Sequence, residues 1–262
     1  MPNIITESEV EEACLDILEE LGYKIVHGPD ISPEGEKPER DDYSQIILNG
    51  RLRKAIDRLN PSIPEEGKEQ AIKKILRNES LNLVIDNQHF HKMLVDGIDV
   101  EYRQNRQNGR IKGDKVWLFD FKNPNSKDNE FLAVNQFTII ENNSNRRPDI
   151  ILFINGLPLA VIELKNPADE NATVKSAFHQ FETYKSEIPS LFHYNEILVI
   201  SDGCEARAGT ITSDWERFSP WKTIDGKEKA PTAIPQIEVL FKGMFEKRIF
   251  LDLIRHFIAF EK

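Results

Sequence analysis

The sequence predicts an α/β fold with a mixed central β-sheet flanked by helices. Three observations carry that expectation. Ile150–Ile154 and Leu157–Ile162 are strongly apolar β-type runs joined by Asn155-Gly156, the dipeptide most typical of a two-residue hairpin. A helical pattern over 171–186 separates the second run from a further apolar run at 195–201, and strand–helix–strand at that spacing implies a parallel crossover of right-handed sense. Several amphipathic helical patterns precede these runs.

Taken in order, Glu7 to Leu21 reads as a helix with Val10, Cys14, Leu15, Leu18 and Leu21 inward. Thr6 with Glu9 three residues on makes a capping box, and Gly22 ends the helix. Residues 27–42, rich in Pro, Gly and charge, read as a mobile loop. Helical patterns follow at about 44–59, 65–78 and 81–96, with Asn60-Pro61 and Pro64 separating the first two. His89 and His91 are two apart and fall on different helix faces, so no shared metal is expected there. From Val100 the period changes. Val100–Arg103, Lys115–Phe121 and Phe131–Glu141 read as antiparallel strands leading to Asp149. Arg103, Arg106, Arg110 and Lys112 flank a Gly-containing turn and suit either a phosphate contact or a solvated loop. Asn123 to Ser126 is a turn, and Asn166-Pro167 breaks the strand after Lys165. The helix at 171–186 places Val174, Ala177, Phe178 and Phe181 inward, and Ala206–Thr212 is a last strand. Residues 219–235 are polar and Pro-rich, as in a linker. Phe241–Phe260 reads as one amphipathic helix with no visible partner.

The chain has 262 residues and a net charge of −10, which is unusual for a protein that meets nucleic acid. The distribution resolves this: the first 50 residues carry 13 acids and 3 bases, and the rest carries 31 of each. Residues 51–115 have a mild basic excess, 14 against 10, so weak DNA affinity is expected of this chain alone. Two cysteines, Cys14 and Cys204, give neither a disulfide framework nor a zinc pattern and are expected to be buried. No apolar run reaches membrane-spanning length, and no signal peptide is evident at the N-terminus. A cytoplasmic, reducing setting without membrane contact is expected.

The chemistry concentrates at the ends of the two apolar runs. Asp149 precedes the first, and Glu163-Leu164-Lys165 closes the second. Charges there are costly unless something binds them. Mg²⁺ is held by one or two carboxylates with other oxygens, so Asp149, Glu163 and the Leu164 carbonyl are candidate ligands. Lys165 lies two residues beyond Glu163 on the same strand face and is a candidate to steady a hydroxide and developing phosphorane charge. Gln180 and Tyr184, four apart, share one helix face. Acid-x-Lys at a strand end is also common without function, and Gln180 with Tyr184 also fits a solvated helix face. A strict two-residue turn would set Asp149 opposite Ile162 and turn Glu163 to the other face. A shared face therefore requires a turn that takes in Leu157, or a β-bulge.

Pro148-Asp149, Glu163-Leu164-Lys165 and Gln180-x-x-x-Tyr184 together resemble the nuclease domain of the type I restriction enzyme motor subunit (HsdR), in the PD-(D/E)xK superfamily. Asn155-Gly156-Leu157-Pro158, Lys165-Asn166-Pro167, Ser201-Asp202-Gly203 and Glu216-Arg217-Phe218 follow in that family's order, and the likeness covers most of the chain. The resemblance implies a restriction-endonuclease-like core at about 100–212 with a helical insertion at about 44–98, inside an endonuclease domain at 1–218. A linker at 219–235 and the start of a motor-domain helix at 236–262 would follow. It implies that Asp149 and Glu163 bind Mg²⁺, with Mn²⁺ able to substitute, that Lys165 is catalytic, and that Gln180 and Tyr184 support cleavage of double-stranded DNA. Glu11, on the first helix, is the candidate for an extra metal-binding acid; a solvated glutamate is the plainer reading. Implied partners are methyltransferase and specificity subunits, with ATP used only by the full-length subunit. The chain has no G-x-x-x-x-G-K-[ST] phosphate loop and stops at Glu261-Lys262 within a helical pattern, as expected just ahead of such a motor. A free-standing nuclease of the same superfamily and a non-catalytic docking domain are the alternatives.

Overall fold

A computed structural model describes residues 6–103, 109–123, 127–166 and 173–260. Helix α1 spans Glu7–Glu20 and begins with the expected capping box. The Thr6 hydroxyl accepts from the Glu9 N–H, and the Glu9 carboxylate accepts from the Thr6 N–H at 2.7 Å. It ends on Gly22 at φ +83°, where Gly22 N–H donates to Glu19 O and Tyr23 N–H to Leu18 O. Val10, Cys14 and Leu18 line its buried stripe. The turn feeds β1 (Lys24–His27), a four-residue strand. It is too short to show a period and was not anticipated.

Residues 27–42 are pinned rather than mobile: Ile31 and Arg40 are both buried. Helices α2 (Asn49–Leu59), α3 (Glu65–Ile75) and α4 (Leu83–Asp96) follow in succession, where helical patterns were expected. Strands β2 (Ile98–Arg103) and β3 (Ile111–Val116) pair antiparallel in a sheet of their own. Ile98, Val100 and Tyr102 of β2 are buried, and the strand packs on α3. The strand expected at Lys115–Phe121 thus lies earlier. Most of β3 is exposed and polar, so no apolar pattern marked it. Arg106 and the Pro124–Ser126 turn lie outside the described residues.

The strand expected over 131–141 is two. β4 (Phe131–Asn135) stops where Gln136 adopts φ +54°, and β5 (Ile139–Glu141) pairs instead with β6 (Ser144–Arg146). Then come β7 (Ile150–Ile154), β8 (Leu157–Leu164), α5 (Val174–Glu187), β9 (Ile197–Ser201) and β10 (Ala206–Gly209). Residues 167–172, including Pro167 and the expected start of the 171–186 helix, lie outside the described residues. The central sheet has the order β1-β4-β7-β8-β9-β10. β1 is parallel to β4 and β8 to β9, and the other pairs are antiparallel. The sheet is therefore mixed, and helices α1 and α5 both pack on β8. Every residue of β7, β8 and β9 is buried, which is why they read as unbroken apolar runs.

The C-terminal segment departs from expectation. It forms two helices, α6 (Gln236–Met244) and α7 (Lys247–His256), because Glu246 caps a new start by accepting from Ile249 N–H at 3.1 Å. It also has partners within the chain. α6 packs on α1 and β10. Phe241, Phe245 and Phe250 are fully buried, and the Tyr23 hydroxyl donates to Phe245 O at 2.9 Å. Cys14 is buried as expected, but Cys204 is exposed.

Candidate active site

The β7–β8 hairpin determines where the acids stand. Asn155 (φ +53°) and Gly156 (φ +83°) form a two-residue turn, with Ile154 opposite Leu157 and Phe153 opposite Pro158. The register then shifts, so that Leu152 faces Ala160 and Leu159 is extra. Ile150 faces Ile162, so one step further in the same register Asp149 falls opposite Glu163, and Asp149 Oδ2 reaches the Leu164 N–H. The irregularity needed for a shared face is thus a bulge at Leu159 rather than a longer turn. The turn itself is covered by the start of α2. A Cβ on Gly156 would lie 2.6 Å from Leu48 O and 2.9 Å from Leu52 N, so only glycine lets α2 sit this close.

At the other end of the hairpin, Asp149 is 8% and Glu163 2% exposed. Asp149 Oδ2 accepts from the Leu164 N–H at 2.6 Å, and the Asp149 carbonyl accepts from Gln136 N–H at 2.9 Å. Lys165 Nζ donates to Glu163 Oε1 at 2.8 Å, Tyr184 lies beside the same carboxylate, and Glu163 Oε2 is buried with no hydrogen-bond partner among the described residues. Lys165 is steadied through its own N–H, which donates to Ser201 O of β9 at 2.9 Å. Burial pushes the Asp149 carboxyl up to about 7, against the Leu164 hydrogen bond and the Lys165 charge; Glu7 and Glu11 add to the rise. Burial, then the Asp149 charge, pushes Glu163 up to about 8.

α5 brings the other pair in. Tyr184 is buried, and its hydroxyl accepts from Gln180 Nε2 at 2.6 Å. Burial and the neighbouring Glu163 charge hold the Tyr184 phenol well above its usual range. Tyr184 therefore lies against the acid pair, and Gln180 reaches it through Tyr184. Glu11 is half-buried on α1, and its two oxygens accept from Asn135 and Gln136 side chains. Among the described residues no group of three His, Cys, Asp or Glu side chains is close enough to share one ion.

Gln136 was missed by the sequence reading. Its positive φ ends β4, its N–H fixes Asp149, and its amide fixes Glu11. The signal available was the polar Asn135-Gln136 step that breaks an apolar run. The expected separation of His89 and His91 is observed: His91 Nδ1 meets the buried Glu196 at 2.8 Å, and His89 is 3.4 Å from Glu79.

Two buried carboxylates on one face, one with an unpartnered oxygen, form a site that a hard cation would stabilise. The donor set is all oxygen, with no thiolate or imidazole, which suits Mg²⁺ or Mn²⁺.

Residues 4–217 match the family described as type I restriction enzyme R protein N terminus. The chain is 41% identical over 262 residues to the Type I restriction enzyme HindI endonuclease subunit of Haemophilus influenzae, covering 99% of this chain and 24% of that protein. It is 34% identical over 272 residues to the Putative type I restriction enzyme MjaIXP endonuclease subunit of Methanocaldococcus jannaschii, covering 97% of this chain and 25% of that one. The chain thus spans about a quarter of the length of these relatives. The match over most of its length shows that the chain belongs to the family of type I restriction enzyme R protein N-terminal regions.

Proposed function

We propose that this chain is the Mg²⁺-dependent endonuclease domain of a type I restriction enzyme motor subunit, with a PD-(D/E)xK core, cutting double-stranded DNA. The observation that carries the reading is the bulge that sets Asp149 and Glu163 on one face with Lys165 beside them. The relatives named as endonuclease subunits support a nuclease activity.

Asp149, Glu163 and the Leu164 carbonyl would hold the ion, while Glu11, its two oxygens engaged by Asn135 and Gln136, stays outside that set. The unpartnered Glu163 Oε2 and the raised pKa of both acids fit that role. When bound, the ion supplies charge neutralisation at a scissile phosphate and a nucleophilic water at neutral pH. Lys165 holds the attacking oxygen and the charge that builds on phosphorus. Its ammonium is already within hydrogen-bond reach of Glu163, so it needs little reorganisation. Tyr184, with its hydroxyl fixed by Gln180, packs against Glu163 and limits its rotamers. The partners proposed are methyltransferase and specificity subunits in the cytoplasm, and ATP serves a motor elsewhere in the full-length subunit. No helix among the described residues is long and apolar enough to cross a membrane.

The decisive assay is Mg²⁺-dependent cleavage of plasmid DNA by the intact enzyme with its partner subunits. Wild type should cut, and an Asp149→Ala/Glu163→Ala double variant should not. Cutting by the double variant at a near wild-type rate would sink the reading.

A further inference from the structure

Gln136 is held in a conformation that its side chain does not favour. Among the described residues four non-glycines have positive φ, and the other three, Asn142, Asn143 and Asn155, are asparagines, which tolerate the left-handed region. Gln136 sits there at φ +54° at the end of β4, and its N–H donates to the Asp149 carbonyl at 2.9 Å. A residue kept in such a bend persists only where its surroundings hold it.

Glu11 supplies the hold. Its Oε2 accepts from Gln136 Nε2 at 2.5 Å and its Oε1 from Asn135 Nδ2 at 2.7 Å. Hydrogen bonds from amides to a carboxylate are charge-assisted and stronger than neutral ones. Asn135 is also met at its other end, where His27 Nδ1 lies 3.2 Å from Asn135 Oδ1. The end of β1 closes over the same bend. A Cβ on Gly28 would lie 2.6 Å from both Asn135 O and Gln136 O, so only glycine fits there. α1, β1 and β4 thus converge on residues 135 and 136, and the Gln136 N–H carries that convergence to Asp149.

We propose that Glu11 is a positioning residue: through Gln136 it holds the bend that fixes the Asp149 backbone, and it acts on that bend rather than on an ion. The consequence for cleavage rests on the nuclease function proposed above. To become an ion ligand, Glu11 would have to give up both amide bonds. A glycine at 136 takes positive φ without strain and offers no amide for Glu11 to hold. The effects of residues 11 and 136 are therefore coupled, whereas an ion ligand at Glu11 would act independently of residue 136.

Two measurements on the intact subunit test this. The first is amide hydrogen exchange in EDTA, read by mass spectrometry. Glu11→Ala should speed exchange at Gln136 roughly tenfold or more while the β7 and β8 amides keep wild-type rates; a general loss of structure would speed them all. The second is single-turnover cleavage across a Mg²⁺ series with the partner subunits present. Glu11→Ala should raise the Mg²⁺ concentration for half-maximal rate about tenfold, but less than about threefold when Gln136→Gly is also present. If Glu11→Ala does not fold, Glu11→Gln, which loses one of the two acceptor oxygens, carries both comparisons. Equal losses from the residue 11 variant in the two backgrounds, or wild-type exchange at Gln136 in that variant, would overturn the proposal. A subunit that cuts no DNA but shows the local change in exchange would remove the nuclease reading and leave Glu11 as the clamp on the bend.

Discussion

Asp149 and Glu163 fall on one face because Leu159 is one residue too many in β8, so that Ile150 faces Ile162 and the same register carries Asp149 opposite Glu163. The turn at Asn155-Gly156 is tight and regular, so the offset arises inside the sheet. With the bulge, two carboxylates share a buried face with Lys165 at its edge. Without it, Glu163 would point to the other face of the sheet.

That juxtaposition weakens the metal-free fold as pH rises. Both acids bind their protons more tightly folded than unfolded, with carboxyls at about 7 and about 8 against roughly 4 in the unfolded chain. Their contribution is fully present below about pH 4 and is lost as pH rises toward 8. Melting temperature in EDTA should therefore fall over that window more steeply in wild type than in Asp149→Asn/Glu163→Gln. Parallel curves for the two proteins would show that these acids are not the cause.

Neutralising one acid should stabilise the apo protein while destroying function. Glu163→Gln removes a buried charge with an unpartnered oxygen. Its melting temperature near pH 8 in EDTA should rise by roughly 2–8 °C, the scale of one to two kcal/mol in a chain of this size. DNA cleavage by the intact enzyme should drop by orders of magnitude. A lower melting temperature would mean that the Lys165–Glu163 pair outweighs desolvation.

Mg²⁺ should restore what the acids cost. A ligand that binds only the folded state raises stability by mass action. The rise in melting temperature should be larger above pH 8, where both acids are ionised, than near pH 6, because binding displaces protons. Lys165→Ala should keep that rise and lose cleavage, since the acids remain. If Lys165→Ala abolishes the rise as well, the lysine is needed to assemble the ligand set.

Tyr184→Phe and Gln180→Ala should be milder than the acid variants. Each removes one hydrogen bond next to Glu163, worth about 1 kcal/mol or roughly fivefold in rate. Single-turnover cleavage by the intact enzyme measures this. A loss as deep as that of Asp149→Ala would place Tyr184 in contact with the reacting groups.

The C-terminal helices should be indispensable to the fold. Truncation at Pro235 removes Phe241, Phe245 and Phe250 from the core and uncovers α1. Each buried phenylalanine is worth about 3–5 kcal/mol, and their sum rivals the 5–15 kcal/mol of a whole domain. Circular dichroism should show loss of a cooperative melt. A truncated chain with an unchanged melt would make 236–256 an appendage.

By itself, the sequence determined the elements whose signals are local. The Thr6–Glu9 capping box, the Gly22 stop and the Asn155-Gly156 turn rest on chemistry among a few neighbours. The β7, β8 and β9 runs are legible because burial on both faces leaves them apolar but for Glu163 and Ser201. The Asp149, Glu163 and Lys165 cluster stood out because its charges interrupt such a run. The tertiary structure decided what depends on distant partners. β1 is recognisable only by its parallel pairing with β4, and polar β3 only by its pairing with β2. The sequence required some irregularity between Asp149 and Glu163 but could not choose it, because bulge and longer turn differ only in how β7 meets β8. The burial of α6 on α1 follows from contacts more than 200 residues apart, such as Tyr23 with Phe245. No periodicity along the chain can carry information of that range.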